Sequence, residues 1–556
     1  MEQAGSSKDR PTPPVRSIGA PALWVLSILV GVVAGLGAVV FRALIAIIHN
    51  LLFLGKLSAS YDANTHTPPS PWGPFVILAP VAGALGVAFL VKTFAPEAKG
   101  HGVPEVMDAV YHRKGVIRPI VSVIKALASA LSIGSGASIG REGPIIQIGS
   151  SFGSTLGQFL RLPVWQRITL IAAGAGGGIG ATFNTPVGGV LFAVEIILHE
   201  VSARTLVPVF TATATATDVG QLFFGPHPSF SIPSLETPFF IVAKPVVLVA
   251  YAGLGAIAGL VSTLFIRSIY GLEEFFEKRV KGGYYVQHMA GMLVVGVLIF
   301  ALMHRFGHYY VEGVGYATIQ DVLTGVPYPL LLLVLLFAAK LIATSITLGS
   351  GASGGVFSPA LFLGATSGAA WGLILNHFFP GLQVSPAAFA VAGMGGVVGG
   401  STGAAMAAIV MIFEMTLDYT VIIPMTLTVA ISYGVRRSLI KDSIYTRKLT
   451  LRGESIPEAL RADLQLARRA ASIMHPATPE MLAQYAAAGG SANGSYIIAL
   501  EDDSLWDMLA RMHAADAAFV LVVSKEKQSG GAEVRGAITR KDILDTLAVD
   551  MELFSG

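Results

Sequence analysis

The chain has 556 residues, 53% of them hydrophobic and only 13% charged, with a mean hydropathy of +0.67. Soluble domains carry charge on about a quarter of their residues, so water is not this chain's main solvent. The net charge of +3 is too small to point to nucleic acid, and with no cysteine there is neither a disulfide framework nor thiolate metal chemistry, which leaves the redox compartment undecided.

Residues 1–18 form a polar N-terminal segment without the apolar stretch of a signal peptide. Lys8, Arg10 and Arg16 stand just before the first span, which predicts a cytoplasmic N-terminus. Ala22 to Val40, Ile168 to Val194 and Pro245 to Ile266 hold no Asp, Glu, Lys or Arg and approach or exceed the ~20 residues that cross a bilayer core. Leu341 to Phe413 is likewise free of charge. Of the 37 basic and 34 acidic side chains, 29 lie in residues 441–556, so a membrane domain precedes a soluble tail.

An internal repeat sets the architecture. Gly134-Ser135-Gly136-Ala137-Ser138 recurs 215 residues later as Gly349-Ser350-Gly351-Ala352-Ser353, and the same offset pairs Lys125 with Lys340, Gly140 with Gly355, Pro144 with Pro359, Gly149 with Gly364 and Gly153 with Gly368. At an offset of 219, Ala173-Gly174 matches Ala392-Gly393, Gly176-Gly177 matches Gly395-Gly396, and Glu195 matches Glu414. The repeats span about 75–225 and 288–440. Transporters fold such copies as inverted repeats whose broken helices meet at the midplane; the sequence shows the duplication and not the inversion.

Three segments read as helix starts. Gly100-His101-Gly102-Val103-Pro104, Gly140-Arg141-Glu142-Gly143-Pro144 and Gly355-Val356-Phe357-Ser358-Pro359 each put glycine ahead of a proline and an apolar run. A helix that begins inside a membrane presents bare N–H groups and the positive end of its dipole, so a small anion satisfies both without a full cationic side chain. The plain alternative for any one of them is a glycine-rich packing contact. A carboxylate at Glu142 is costly in that setting unless paired, and Arg141 and Lys125 are its candidate partners if its role is only structural.

These segments, GHGVPE from Gly100, GREGP from Gly140 and GVFSP from Gly355, together with Tyr445 in SIYTRKL, resemble the CLC family of chloride channels and H+/Cl- antiporters. The resemblance spans residues 20–455 with motif order intact. It implies an all-α polytopic membrane protein of two inverted repeats of tilted and broken helices, assembled as a homodimer with a pore in each subunit. It implies further that Glu142 is the gate competing with the anion, and that His101, Gly102, Gly140, Arg141, Gly143, Gly355, Val356, Phe357 and Tyr445 bind the anion. The ligand expected is chloride or a similar small anion, with no cofactor in the pore, in an inner or plasma membrane with both termini cytoplasmic.

Two departures from the family pattern stand out. His101 replaces the common serine, and a ring there can donate as serine would or acquire charge near neutral pH. Ile196 occupies the position where proton-coupled members carry an internal carboxylate. Passive conduction is therefore the expectation and H+/Cl- exchange the alternative, with His199 or Glu200 as substitute proton carriers. A remote rival is an intramembrane serine protease, from the GxSG pattern at Gly351 to Gly354 with His377. The glycines of that stretch also mimic a dinucleotide fingerprint, but outside any soluble βαβ unit.

In the tail, Ser504 to His513 reads as a helix, Ala518 to Val523 and Val534 to Ile538 as strands joined by a turn over Gln528 to Gly531, and Thr539 with Asp542 as a capping pair. The pattern resembles the second half of a CBS module. On that likeness residues 456–556 form a small, incomplete α/β cytoplasmic CBS-like domain following the membrane domain of residues 19–455. Thr539 and Asp542 are then the positions for an adenosine nucleotide, and bracing of a dimer is the competing role.

Overall fold

The computed structural model describes residues 17–232, 245–454, 461–462, 470–488, 492, 495–501, 503, 508–509, 511–512, 515–528 and 531–543. Lys8, Arg10 and Arg16 lie outside the described residues, as do Ser529 and Gly530 of the expected turn and most of Ser504 to His513. Two compact units divide the chain: residues 1–199 with 203–459, and residues 200–202 with 460–556.

The first unit is helical. In chain order it comprises α1 (Ala20–Leu54), α2 (Ala79–Phe94), α3 (Val103–Tyr111), α4 (Ile120–Gly134), α5 (Glu142–Phe159), α6 (Val164–Phe183) and α7 (Pro186–Phe192), which a π turn over Ala193–Leu198 continues. Then follow α8 (Ala203–Phe224), α9 (Pro245–Arg279), α10 (Gly283–Phe306), α11 (Tyr316–Leu323), α12 (Leu330–Gly349) and α13 (Phe357–Phe378). The unit closes with α14 (Pro386–Thr402), α15 (Ala405–Thr416), α16 (Ile422–Leu439) and α17 (Thr446–Leu451). Among the described residues, seven helices are long and apolar enough to cross a membrane, and shorter ones such as α4 and α15 are not.

Sequence punctuation explains the short elements. Gly102, at φ +83°, caps α3 and Pro104 sits in its first turn; Gly315, at φ +77°, caps α11 in the same way. The glycine pairs expected from the repeat let helices touch at backbone distance. A Cβ on Gly149 would strike the Gly174 carbonyl between α5 and α6, and one on Gly364 would strike the Gly393 carbonyl between α13 and α14.

The two repeats meet around a local two-fold axis. Gly140 and Gly355 are equivalent positions, and each donates its N–H to the other's carbonyl, at 2.8 and 2.6 Å, in an antiparallel bridge. Ser129 bonds Ser353 at 2.9 Å while Ser138 bonds Thr344 at 3.4 Å, and these contacts exchange under the offset of 215. The Glu195 carboxylate accepts from the amides of Met406 and Ala407 at the start of α15, and Glu414 accepts from Val187 and Gly188 at the start of α7. Each repeat thus caps a helix of the other.

The second unit has β1 (Glu200–Val201) parallel to β2 (Arg461–Ala462), and a sheet of β3 (Tyr496–Leu500), β4 (Phe519–Gln528) and β5 (Gly531–Thr539) in that order, with α18 (Pro479–Ala487) before β3. Val520, Val522 and Ile538 pack on one face with Met508 and Met512, which together with Leu509 and Arg511 are the helical described residues of Ser504 to His513. Both hairpin strands run longer than the apolar alternation predicts, because Lys527 and Gln528 still pair with Ala532 and Gly531. Thr539 donates its amide and hydroxyl to Asp542 Oδ2, both at 2.8 Å, so the two residues expected to meet a nucleotide hold one another and start the helix that follows β5.

Candidate functional site

Glu142 opens α5, yet its carboxylate serves α13. Oε1 accepts the Ser358 amide at 2.7 Å and the Ser358 hydroxyl, in the first turn of α13, where backbone N–H groups have no helical partner. Ser358 Oγ is in turn 2.9 Å from the Tyr316 hydroxyl. With Ser358 donating to the carboxylate, Tyr316 donates to Ser358, which makes a relay of three oxygens into one acid. Glu142 is 2% exposed, and its Oε2 is buried without a hydrogen-bond partner. A Cβ on either Gly140 or Gly355 would collide with this carboxylate. The glycine pair on the local two-fold therefore makes the acid's seat.

The structural partners expected for Glu142 are elsewhere. Lys125 donates to the carbonyls of Ala98 and Gly100, at 3.0 and 2.7 Å, and so holds the loop that leads into α3. Arg141 makes no ion pair with its neighbour; its guanidinium lies 5.2 Å from the Tyr316 ring centroid and 5.6 Å from that of Phe183. Gly140 and Gly355 spend their amides on each other, so of the glycines expected to bind anion these two supply space and no donor. Val356 and Phe357 stand at the N-cap and first position of α13, and Gly143 stands at the second position of α5.

A second cluster gathers around His101. Its ring is buried, with centroids 6.2 Å from Tyr445 and 6.3 Å from Tyr270, and Tyr445 also meets Phe192 edge-on at 6.3 Å. The Tyr270 hydroxyl donates to the Ile444 carbonyl at 2.6 Å, so at 3.2 Å from His101 Nε2 it accepts, and this network assigns the ring proton to Nε2. Nδ1 is buried and unpartnered; it offers a lone pair while the ring is neutral and a donor only when the ring is protonated. Gly102 caps α3 beside this ring, and a cavity of about 1330 Å³ reaches the cluster at Tyr270 and Lys448.

Sequence reasoning missed Tyr270 and Tyr316, which lie in no motif, and passed over Ser358, which stood inside GVFSP with its hydroxyl unread. Ile196 is buried in the π turn; His199, one turn on, bonds the Tyr111 hydroxyl at 3.0 Å. The protease pairing does not form. Ser353 donates to the Ala98 carbonyl at 2.7 Å, and exposed His377 sits at the far end of α13, about 30 Å along at 1.5 Å per residue.

Paired repeats around a two-fold, with helix ends and a buried acid meeting inside an apolar bundle, define a membrane transport protein for small anions. The family model for voltage gated chloride channels matches residues 83–437. A ClcB-like chloride channel protein of Ralstonia nicotianae is 32% identical over 377 residues, covering 67% of this chain and 85% of its own. The H(+)/Cl(-) exchange transporter ClcA of Yersinia pseudotuberculosis is 32% identical over 410 residues, covering 73% of this chain and 82% of its own. Among solved structures, a slow cyanobacterial Cl-/H+ antiporter superposes with a TM-score of 0.69 at 24% identity, covering 78% of this chain and 99% of that one. A eukaryotic CLC transporter superposes with a TM-score of 0.63 at 21% identity, covering 94% of this chain and 97% of that one. The chain belongs to the CLC family: it is an integral membrane protein with the CLC fold, in a family of anion transporters rather than enzymes.

Proposed function

We propose that the protein exchanges chloride for protons, with Glu142 as both gate and proton acceptor. The observation that carries this reading is the seat at the start of α13. One set of bare amides serves either the Glu142 carboxylate or an anion, and the carboxylate leaves it most readily when protonated. Each anion passing the seat then requires a proton on Glu142, whose unpartnered Oε2 is the atom at which it arrives. The ClcA relative, named an exchange transporter, supports the same choice. Chloride reaches the seat past His101, Tyr445 and the first turns of α3 and α13, in each subunit of a homodimer. Ile196, the basis for expecting passive conduction, removes one proton carrier and leaves the gate chemistry intact.

The test is reconstitution in liposomes with chloride and pH electrodes read together. A chloride gradient should drive protons uphill, and Glu142→Gln should abolish proton movement, retain chloride flux and flatten its pH dependence. Chloride flux with no proton movement in the unaltered protein would overturn exchange in favour of passive conduction.

A further inference from the structure

A cavity of about 310 Å³ lies on the gate side of the first unit, with Arg42 of α1, Arg141, Phe183, Tyr316 and Asp62 in its walls. Arg141 is 8% exposed, and its Nε is buried without a partner. Arg42 stacks on the Phe224 ring at 4.4 Å, as Arg141 stacks on Tyr316 and Phe183. These cation–π contacts leave the Arg141 Nε–H unpaired, and guanidinium N–H groups recognise oxygen anions in pairs. Neither arginine forms a salt bridge among the described residues. The charged groups bearing on Arg42 are Arg141, which repels it, and Asp62, whose Oδ1 accepts the Asn64 amide. Two cations thus face one cavity with Asp62 in its walls, while Glu142, next to Arg141 in the chain, is seated on Ser358. Two facing cations cost free energy that an anion in the cavity offsets.

We propose that this cavity is a binding site for a small doubly charged oxyanion of the sulfate class, separate from the halide seat at Glu142. Its volume is far larger than one halide needs. Two forked guanidiniums offer several directed donors, which suit a tetrahedral oxyanion better than a sphere. Tyr316 lines the cavity, and its hydroxyl bonds the serine that holds Glu142. A dianion there stands over the gate and obstructs the passage of chloride from that side. The site itself does not depend on whether transport is coupled to protons.

The test is equilibrium dialysis of radiolabelled sulfate against the purified full-length protein in detergent, with chloride–proton exchange measured separately on the same preparation. Saturable one-site binding is expected, weakened at least about tenfold by Arg42→Gln and less by Arg42→Lys, since an ammonium keeps the charge and loses the fork. Arg42→Lys also preserves volume and charge in α1, so it reports on the site even if the glutamine variant misfolds. Equimolar chloride should leave the bound sulfate in place. Absence of saturable binding, equal affinity in both variants and the unaltered protein, or displacement by equimolar chloride would each overturn the proposal. Loss of exchange with sulfate binding intact would count against the transport mechanism alone.

Discussion

The two repeats share a backbone and divide the chemistry. Lys125 holds the carbonyls of Ala98 and Gly100 ahead of α3, and Lys340 holds those of Val311 and Gly313 ahead of α11, at 3.2 and 2.9 Å. Gly100-His101-Gly102 in the first repeat answers to Gly313-Val314-Gly315 in the second, and Arg141-Glu142 answers to Val356-Phe357. At these helix ends the titratable side chains, His101, Arg141 and Glu142, belong to the first copy, and the second supplies an uncharged helix end for Glu142 to act on. The comparison teaches that the scaffold is held by duplicated backbone contacts, which tolerate no asymmetry, while the side chains at the helix ends were free to diverge because only one acid is needed to compete for one seat.

The sharpest way to break this picture is at the shared glycine bridge. In Gly355→Ala the new methyl would fall on the Glu142 carboxylate and 2.9 Å from the Gly143 amide. The acid is then evicted from its seat, and proton coupling should fall by about tenfold or more, as in Glu142→Gln, an estimate from the loss of about 1.4 kcal/mol or more of seating. The proton-to-chloride flux ratio in liposomes measures this. A normal ratio in well-folded Gly355→Ala protein would mean that the carboxylate does not sit there during transport.

The lysine pair gives a smaller effect and tests the symmetry itself. Lys340→Met removes the donor from the buried carbonyls of Val311 and Gly313, whereas after Lys125→Met the carbonyls of Ala98 and Gly100 keep Ser353 and the Gly354 amide. Lys340→Met should therefore cost the more stability, about 2–4 kcal/mol, read as loss of thermal stability in detergent. Only Lys125→Met should also weaken chloride, because only its loop carries His101. Chloride affinity by calorimetry separates them, and equal losses of affinity would show that the two loops do not differ in function.

His101 is expected to give the smallest change. In a Glu142→Gln background His101→Ser should keep chloride binding within about threefold while removing whatever tightening of chloride accompanies protonation of the ring, because a hydroxyl donates without titrating. An imidazolium formed with the anion makes the two binding events reciprocal, so low pH tightens chloride and chloride favours the charged ring. Identical pH profiles with and without the substitution would leave His101 a neutral donor to Tyr270.

Composition and spacing alone determined the membrane class, the duplication and the three helix starts. These depend on local rules: long uncharged runs exclude water, and glycine followed by proline starts a helix wherever it occurs. The capping pair Thr539 and Asp542 was legible for the same reason, since its partners lie three residues apart. The partners of Glu142, Lys125 and Arg141 were not legible. Adjacent and repeat-related charges suggested ion pairs, but Glu142 bonds a serine 216 residues away and Lys125 bonds backbone carbonyls. Tyr270 reaches His101 across 169 positions, and the inversion of the repeats appears only where Gly140 meets Gly355. In a bundle without water, every buried polar group must find a partner among whatever the packing brings near. Sequence specifies which groups need partners; only the tertiary structure decides which of them meet.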